Sequence, residues 1–340
     1  MSEERPGLLD GAIWQPENTK LFGHGEAEAF LAQSYRSGKG HHAVLIEGPE
    51  GIGKSTLAFR FANHVLSHPD PATAPATIGA PDLNSAVSRQ IASGASHNLL
   101  YLARPVDEKT GKVKSAITVD EVRKAGRFFS QTSGTGNWRI VIIDPADDMN
   151  RNAANAILKI LEEPPKRALF LLISHAPGKL LPTIRSRCLP LKLAPLSDEA
   201  LASALDHLGI DAGDEALLSA ANGSVGEALK LINYGGGEII SAYNDVLSSQ
   251  GPAARRAMHR LADALSGKES ETIFEFFTTH VGDDLMTRAR SAAIAGEVVT
   301  AERFSRLYSD IVNRLTVSDA YNLDRKQTIL SILGDIKQPS

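Results

Sequence analysis

The sequence predicts an α/β domain with a parallel sheet covered by helices, followed by a region that is helical throughout. Through the first 194 residues, short apolar runs typical of buried strands alternate with helical segments. This order indicates an open parallel sheet between two layers of helices. After residue 194 the apolar runs stop, and only the periodicity of amphipathic helices continues. The chain is therefore expected to combine a sheet domain with helical domains.

Three of the apolar runs are predicted to be buried parallel strands: residues 43–46, 140–143 and 169–173. Helices are predicted over residues 26–37, 55–66 and 152–161. The third of these has to end ahead of Pro164, because proline cannot continue a helix. Prolines and glycines between residues 68 and 81 predict a loop or insertion within the sheet domain.

The helical region is predicted to form two domains. Ser197 is a candidate N-cap for a helix whose apolar side carries Leu201 and Leu205, and the glycine run at residues 235–237 marks a boundary. The predicted domains are residues 1–194, 195–237 and 238–340. An apolar stripe in the last domain consists of Phe304, Leu307, Ile311 and Leu315. Such stripes are typical of a helix-bundle core. Any apolar helix surface that the domain cannot bury by itself would suit oligomerisation.

Composition limits the classes of protein to which the chain can belong. It has 340 residues, 42% of them hydrophobic and 22% charged, which is ordinary for globular domains. The formal net charge of −4 provides no global attraction to nucleic acid. The single cysteine, Cys188, excludes an internal disulfide and a thiolate metal site, and no apolar run is long enough to span a membrane. We therefore expect a soluble, cytoplasmic protein.

Residues 48–55 have the complete G-x-x-x-x-G-K-[ST] pattern of a phosphate loop, between a predicted strand and a predicted helix. The glycines let backbone N–H groups turn toward an anion, and Lys54 supplies a mobile positive charge for the terminal phosphates. Ser55 would place its hydroxyl on Mg²⁺. The candidate nucleotide contacts in this segment are Gly48, Gly51, Gly53, Lys54, Ser55 and Thr56.

Three more segments follow the phosphate loop. The strand at residues 140–143 ends in Asp144, the Walker-B form in which an aspartate holds Mg²⁺, although such an aspartate also caps turns. Residues 152–165 read NAANAILKILEEPP, and residues 183–188 read TIRSRC. Between them, the strand at 169–173 is followed by Ser174 and His175. We interpret His175 as a loop residue, because no second His, Cys or acid at ligand spacing accompanies it.

In this order the segments resemble the bacterial clamp-loader subunits of the AAA+ class, namely the gamma/tau and delta-prime subunits of DNA polymerase III. The NAxLKxLEEPP-like and TIRSRC segments are the most specific part of the resemblance, which is clear from residue 21 to residue 193. It implies an AAA+ nucleotide domain that binds ATP or ADP with Mg²⁺. It also implies a small helical lid and an all-α collar domain that assembles a hetero-pentamer.

The resemblance assigns roles to individual residues. Ser174 matches the sensor 1 position, which reads the γ-phosphate, although a serine at the end of a strand is common. Arg187 matches the arginine finger that reaches in trans into the ATP site of a neighbouring subunit. Outside this segment, Arg185 and Arg187 would be interpreted as solvated charges. Residues 21–24 match the N-terminal segment near the adenine.

Three departures from the family pattern indicate the type of subunit. Motor subunits carry Asp-Glu at the end of the Walker-B strand, whereas here Asp144 precedes Pro145, which cannot act as a base. Gly226 stands where motor subunits carry the sensor 2 arginine of the lid. Residues 65–100 contain no cysteine for the family's zinc module, so no zinc is expected. Together these departures favour the delta-prime type, which donates an arginine without running the hydrolysis cycle.

The expected partners of such a subunit are gamma/tau and delta subunits, a sliding clamp and, through the complex, primed DNA. Its own ATPase activity is expected to be weak or absent. Two alternatives stay open. One is an active gamma/tau-like motor ATPase that uses another residue, such as Asp147, as its base. The other is a P-loop ATPase of DNA repair or recombination, which would need its own basic DNA-binding surface.

Overall fold

The computed structural model describes residues 8–107, 111, 113–130, 136–211, 215–267 and 270–337. The chain divides into two compact units, Met1–Leu229 and Lys230–Ser340. The first contains a sheet with helices and the second is helical, so the predicted fold class is confirmed. The helices between residue 194 and Leu229 belong to the same unit as the sheet. The division into three domains at residues 194 and 237 stays a prediction.

The first unit is built on a five-stranded sheet with the order β2-β3-β4-β1-β5. The strands are β1 (Ala43–Glu47), β2 (Leu99–Leu102), β3 (Arg139–Ile143), β4 (Ala168–Ser174) and β5 (Leu189–Lys192). Every pairing is parallel. The carboxyl ends of β1, β3 and β4 therefore meet at one edge of the sheet, where the phosphate loop, Asp144 and Ser174 lie.

The sheet separates two buried layers of side chains. Along β3, Ile140 and Ile142 belong to one layer, while Val141 and Ile143 belong to the other, because successive side chains of a strand point to opposite faces. All residues of β4 are buried. Burial on both faces explains why the three central strands are continuous apolar runs in the sequence.

The two edge strands, β2 and β5, are not predicted from the sequence. Each is only four residues long, and β5 alternates between half-buried and exposed positions. Pro190 lies within β5, and an edge strand tolerates proline because only one of its sides has to be paired. Short, half-exposed strands lack the apolar run that identifies a central strand.

Helices occupy both faces of the sheet and continue beyond it. They are α1 (Gly25–Arg36), α2 (Lys54–Ser67), α3 (Ala86–Ala92), α4 (Val119–Ser130), α5 (Arg151–Glu162), α6 (Pro182–Arg185), α7 (Asp198–His207), α8 (Glu215–Ala221) and α9 (Val225–Asn233). The predicted helices α1, α2 and α5 are confirmed to within one residue at each end. Ser197 caps α7 as predicted, because its hydroxyl accepts a hydrogen bond from the Ala200 N–H at 3.3 Å.

The segment between α2 and β2 is organised around a buried arginine. Arg60, which is 7% exposed, donates hydrogen bonds from its guanidinium to Glu28 of α1 at 2.6 Å and to the carbonyl of Thr19. The same guanidinium lies 3.5 Å from the carbonyl oxygens of Ile78 and Gly79. The predicted loop at residues 68–81 contains a short 3-10 helix, Pro71–Thr73, and is otherwise irregular.

The second unit consists of α10 (Gly236–Ser248), α11 (Gly251–Leu265), α12 (Glu271–Ile294), α13 (Val298–Ala320) and α14 (Arg325–Lys337). Tyr243, Phe277 and Leu333 lie in its core, together with Ile311 of the predicted apolar stripe. The stripe is therefore bundle core, as expected. Among the described residues, no helix combines the length and the apolar composition that a membrane span needs.

Candidate nucleotide site

The phosphate loop connects the end of β1 to the start of α2, which is the context that its motif requires. Gly51 and Gly53 have φ values of 75° and 103°, in the region that favours glycine. A Cβ atom at Gly51 would also lie only 2.4 Å from the Ser224 hydroxyl. The loop therefore has the backbone conformation of an anion-binding turn at a helix N-terminus.

Lys54 is the first residue of α2 and is only 3% exposed. Its ammonium donates a hydrogen bond to the Pro49 carbonyl within the same loop. Burial lowers the pKa of Lys54 to about 8, and the Asp144 carboxylate opposes this shift. The ammonium is therefore still mostly charged at neutral pH. A bound anion would offset the cost of burying that charge.

Ser55 and Asp144, the predicted Mg²⁺ neighbours, are in direct contact. The Ser55 hydroxyl donates a hydrogen bond to Asp144 Oδ2 at 2.6 Å, and the Tyr101 phenol donates to the same oxygen at 3.2 Å. Burial raises the pKa of Asp144, while the hydrogen bond from Ser55 works against that increase. Tyr101 is not indicated by the sequence, because it lies on the unpredicted edge strand β2.

Asp147 anchors the carboxyl end of β4. Its Oδ1 accepts a hydrogen bond from the Ser174 hydroxyl at 2.7 Å, and its Oδ2 accepts from the backbone N–H groups of His175 at 2.5 Å and Ala176 at 3.1 Å. Both carboxylate oxygens are thus engaged. Hydrogen bonds to a charged group are worth about 1.5–3 kcal/mol each, so these three hold the carboxylate in place at the end of β4.

His175 follows Ser174 directly and lies among the charged groups of the site. Burial lowers the pKa of His175, and the positive charge of Lys54 lowers it further, so the ring is neutral at neutral pH. Glu50, Asp144 and Asp147 also act on it electrostatically. Its Nδ1 atom is buried and finds no hydrogen-bond partner in the part of the chain that the structure describes. His175 lies in the loop after β4, as expected, but a lone histidine in a sequence does not reveal the charged groups that surround it.

The segment that leads into α9 rests on the phosphate loop. The Ser224 hydroxyl donates to the Glu50 carbonyl at 2.8 Å, and the Gly226 N–H donates to the Gly51 carbonyl at 3.3 Å. A Cβ atom on Gly226 would lie 3.0 Å from the Gly51 Cα atom. Gly226, which stands where the resemblance would place a lid arginine, therefore packs its backbone closely against the backbone of Gly51.

Residues 21–24 also reach the phosphate loop. The His24 ring donates a hydrogen bond from Nε2 to the Ile52 carbonyl at 2.7 Å, and burial lowers the pKa of His24. The Leu21 side chain lies 3.0 Å from the place that a Cβ atom of Gly53 would occupy. Thr56 is buried, and its hydroxyl accepts a long hydrogen bond of 3.5 Å from Asn18.

Arg187 lies just after α6 and is held by a different set of groups. Its guanidinium donates hydrogen bonds to Glu162 Oε1 at 2.8 Å and to the Thr183 carbonyl at 2.9 Å. The side chain of Arg187 is 34% exposed and that of Glu162 is 49% exposed. Neither partner belongs to the phosphate loop. An ion pair this exposed contributes about 0–1 kcal/mol, so the guanidinium can leave Glu162 at little cost.

Cys188, next to Arg187, is buried, and burial raises the pKa of its thiol to about 12. The thiol is therefore protonated and unreactive at neutral pH. Within the described ranges, no three His, Cys, Asp or Glu side chains are grouped as metal ligands.

Comparisons with known proteins match this chain to subunits of DNA polymerase III. A family model described as DNA polymerase III, delta subunit, matches residues 23–197, about half of the chain. The DNA polymerase III subunit delta' of Pseudomonas aeruginosa is 39% identical over 198 residues, covering 57% of this chain and 56% of that protein. Subunit gamma of Buchnera aphidicola is 28% identical over 229 residues, covering 65% and 59%.

The DNA polymerase III subunit delta' of Escherichia coli is similar over a longer region. It is 26% identical over 309 residues, which cover 90% of this chain and 84% of the relative. By contrast, the chain spans little more than half the length of the Pseudomonas and Buchnera proteins. The residues matched by the family model, 23–197, include the whole sheet and the phosphate loop.

Proposed function

We propose that this chain, which belongs to the DNA polymerase III delta-subunit family, acts as a delta-prime-type subunit of a clamp loader. It binds a nucleotide, hydrolyses it weakly or not at all, and donates Arg187 to the ATP site of a neighbouring subunit. One observation carries the proposal: the phosphate loop is complete, but the position of the usual base is Pro145, and the next acid, Asp147, is tied to the end of β4 by three hydrogen bonds.

The residues of the site fit ATP or ADP with Mg²⁺. The left-handed glycines, the N-terminus of α2 and the buried Lys54 ammonium suit phosphate oxygens. Ser55 and Asp144 would hold the metal, because they bring two oxygens together at the end of the loop. When bound, Mg²⁺ neutralises charge on the phosphates. Residues 21–24 and Thr56 would complete the contacts on the nucleoside side.

Slow hydrolysis follows from what surrounds this site. Proline has no side chain that can take a proton, so Pro145 leaves water activation without its usual base. Such a loss costs about 10²–10⁴ in rate. Gly226, packed against Gly51, also leaves the lid without an arginine that could respond to the γ-phosphate. Binding and turnover should therefore be separable in this chain.

Arg187 is proposed to act in trans. A guanidinium is always charged and can contact two phosphate oxygens in a fixed fork, which a lysine cannot reproduce. The exposure of Arg187 and the weakness of its pairing with Glu162 support this role, since both leave the side chain able to reach another subunit. Ser174, at the sensor 1-like position, would contribute from within the chain by holding Asp147 at the end of β4.

The proposed partners are gamma/tau and delta subunits in a hetero-pentamer, with the sliding clamp and primed DNA reached through the complex in the cytoplasm. The second unit is proposed as the assembly surface. Ile294, Val298 and Val299, at the connection between α12 and α13, are 78%, 70% and 82% exposed. Three grouped aliphatic side chains at such exposure suit burial against another protein.

Reconstitution tests the proposal. Loading of a sliding clamp onto primed DNA is measured with gamma/tau and delta subunits, with and without this chain, and the complete set is expected to be required. Replacing Ile294, Val298 and Val299 together by serine should weaken entry into the complex, whereas Val317→Ser on the same helix pair should not. Equal loading without the chain would contradict the proposed role.

A further inference from the structure

We propose that His175 contacts the terminal phosphate of a nucleoside triphosphate bound on the phosphate loop, and so distinguishes the triphosphate from the diphosphate. The proposal rests on the nucleotide binding proposed above and names the side chain that gives the site its preference. It places this recognition one residue beyond Ser174, the position that the family resemblance assigns to it.

The hydroxyl of Ser174 is already committed. Ser174 is fully buried and donates its only hydroxyl proton to Asp147 at 2.7 Å. Fully ionised phosphate oxygens accept hydrogen bonds and do not donate them, so a group that reads a phosphate has to be a donor. For Ser174 to serve, it would have to leave Asp147, which also holds the backbone of His175 and Ala176. The structure therefore uses Ser174 to fix the end of β4.

The backbone places His175 at the entrance of the phosphate loop. Ser174 is in register with Glu47, the last residue of β1, and its carbonyl accepts a hydrogen bond from the N–H of Gly48, the first residue of the loop, at 3.2 Å. Asp147 holds the N–H of His175 at 2.5 Å. The base of the side chain is thus fixed on both sides.

The ring of His175 lies among the groups that the nucleotide is expected to contact. Lys54 and Asp144 both act on it electrostatically, as do Glu50 and Asp147. Its buried Nδ1 atom has no hydrogen-bond partner among the described residues, whereas buried polar atoms of native proteins are nearly always paired. A neutral imidazole offers one N–H donor and one acceptor. Because Nδ1 is enclosed in the structure, the ring would turn about its Cβ–Cγ bond to present an N–H group to a phosphate oxygen beside Lys54, which would supply the missing partner.

The test compares the affinities of the full-length chain for Mg-ATPγS and Mg-ADP by isothermal titration calorimetry. His175→Ala and His175→Asn are expected to lower the affinity for ATPγS about 10- to 100-fold, the range for one hydrogen bond to a charged group. Their affinity for ADP should stay within about twofold. His97→Ala, which alters an exposed histidine ahead of β2, is the control and should change neither affinity.

Several outcomes would overturn the inference. An equal loss for both nucleotides, or no loss in either folded variant, would remove His175 from recognition of the terminal phosphate while leaving nucleotide binding intact. A change of the ATPγS-to-ADP ratio in Ser174→Ala and not in the His175 variants would return the role to Ser174. If wild-type protein binds neither nucleotide, the nucleotide-binding proposal itself fails, and this inference fails with it. Thermal unfolding of each variant, with at least one His175 variant folded, separates these outcomes from misfolding.

Discussion

The phosphate loop and the Arg187 segment belong to the same compact unit but are held in opposite ways. Lys54 is 3% exposed and is hydrogen-bonded inside its own loop, whereas the Arg187 side chain is 34% exposed and pairs with a glutamate that is itself half exposed. Burial keeps the Lys54 ammonium in place, as the proposed binding of a nucleotide in this chain requires. Exposure leaves the Arg187 guanidinium able to move, as its proposed action on a nucleotide in a neighbouring subunit requires. The difference supports a division between binding nucleotide in this chain and activating it in a neighbour.

The largest effect is expected from Arg187, because it would act on the chemical step. Arg187→Ala and Arg187→Lys should lower ATP hydrolysis at the one site that this arginine completes by about 10³–10⁵. Folding, assembly and nucleotide binding by the chain itself should be unchanged. The measurement is clamp- and DNA-stimulated ATPase activity, together with the loading rate, of complexes reconstituted with each variant.

Arg185→Ala is the matched control, since Arg185 lies in the same segment and is not proposed to reach the neighbour. Unchanged hydrolysis and loading with Arg187→Ala, in complexes shown to be fully assembled, would remove Arg187 from the mechanism. The phosphate loop and the Arg187 segment would then differ in how they are packed, without a difference in function.

Lys54→Met is expected to separate affinity from stability. Removing the ammonium should weaken nucleotide binding by about tenfold or more, since hydrogen bonds to charged groups are lost. The same change should raise the free energy of unfolding by about 1–3 kcal/mol in the absence of added nucleotide, because the folded chain no longer buries a charge whose pKa is lowered to about 8. Calorimetry and chemical denaturation measure the two quantities.

If Lys54→Met instead lowers the free energy of unfolding, the ammonium stabilises the folded loop, and its burial is not a cost that a bound nucleotide offsets. Lys179→Met, at an exposed position after β4, controls for removing a positive charge from the unit. It should change neither quantity appreciably.

Acid should destabilise the protein through His64, which lies in α2, the helix that begins at Lys54. Burial lowers the pKa of His64 to about 4 from its ordinary value of 6.5, and its buried Nε2 atom has no partner within the described ranges. The folded pKa lies below the unfolded one, so the stability contribution is complete above pH 6.5 and is lost as the pH falls toward 4. Between pH 7.5 and pH 5 the loss should be about 2 kcal/mol.

His64→Phe should remove about that amount from the pH dependence of the unfolding free energy, whatever its effect at pH 7.5. His97→Phe, at an exposed position, should leave the pH dependence as in the wild type. If the free energy of unfolding depends on pH in the same way for wild type and His64→Phe, His64 is not kept neutral in the folded chain.

The smallest effect is expected from the partner of Arg187. Glu162→Gln should change the free energy of unfolding by less than about 1 kcal/mol, because an ion pair this exposed contributes little. Loading by the reconstituted complex should stay within about twofold of the wild type. A loss of more than about 2 kcal/mol in urea unfolding would show that the Arg187 segment is a fixed part of the fold, which contradicts its proposed freedom.

Much of this arrangement is predictable because its signals are local. β1, β3 and β4 are buried on both faces, which requires apolar runs, and α5 ends where Pro164 forces it to end. The phosphate loop is recognisable because glycine is needed at positions of positive φ. The contact between Ser55 and Asp144 follows from the parallel sheet, which brings the carboxyl ends of β1 and β3, on either side of β4, to one edge.

Other parts depend on contacts between residues far apart in sequence. Tyr101 reaches Asp144 from an edge strand too short to be predicted, and Asp147 accepts hydrogen bonds from Ser174 and His175. The contact of Gly226 with Gly51 joins positions whose pairing has no sequence signature. In each case the residue type is visible in the sequence, while its partner is decided by the fold.

The separation of binding from hydrolysis is tested most directly on the isolated full-length chain. Binding of Mg-ATP and its turnover are measured in the same preparation, with Lys54→Met in parallel. Binding is expected to be measurable and to be weakened by Lys54→Met, and turnover is expected to lie far below the rate of about 1 s⁻¹ at the low end of working enzymes. Turnover at or above that rate, abolished by Lys54→Met, would identify a motor ATPase and contradict the account.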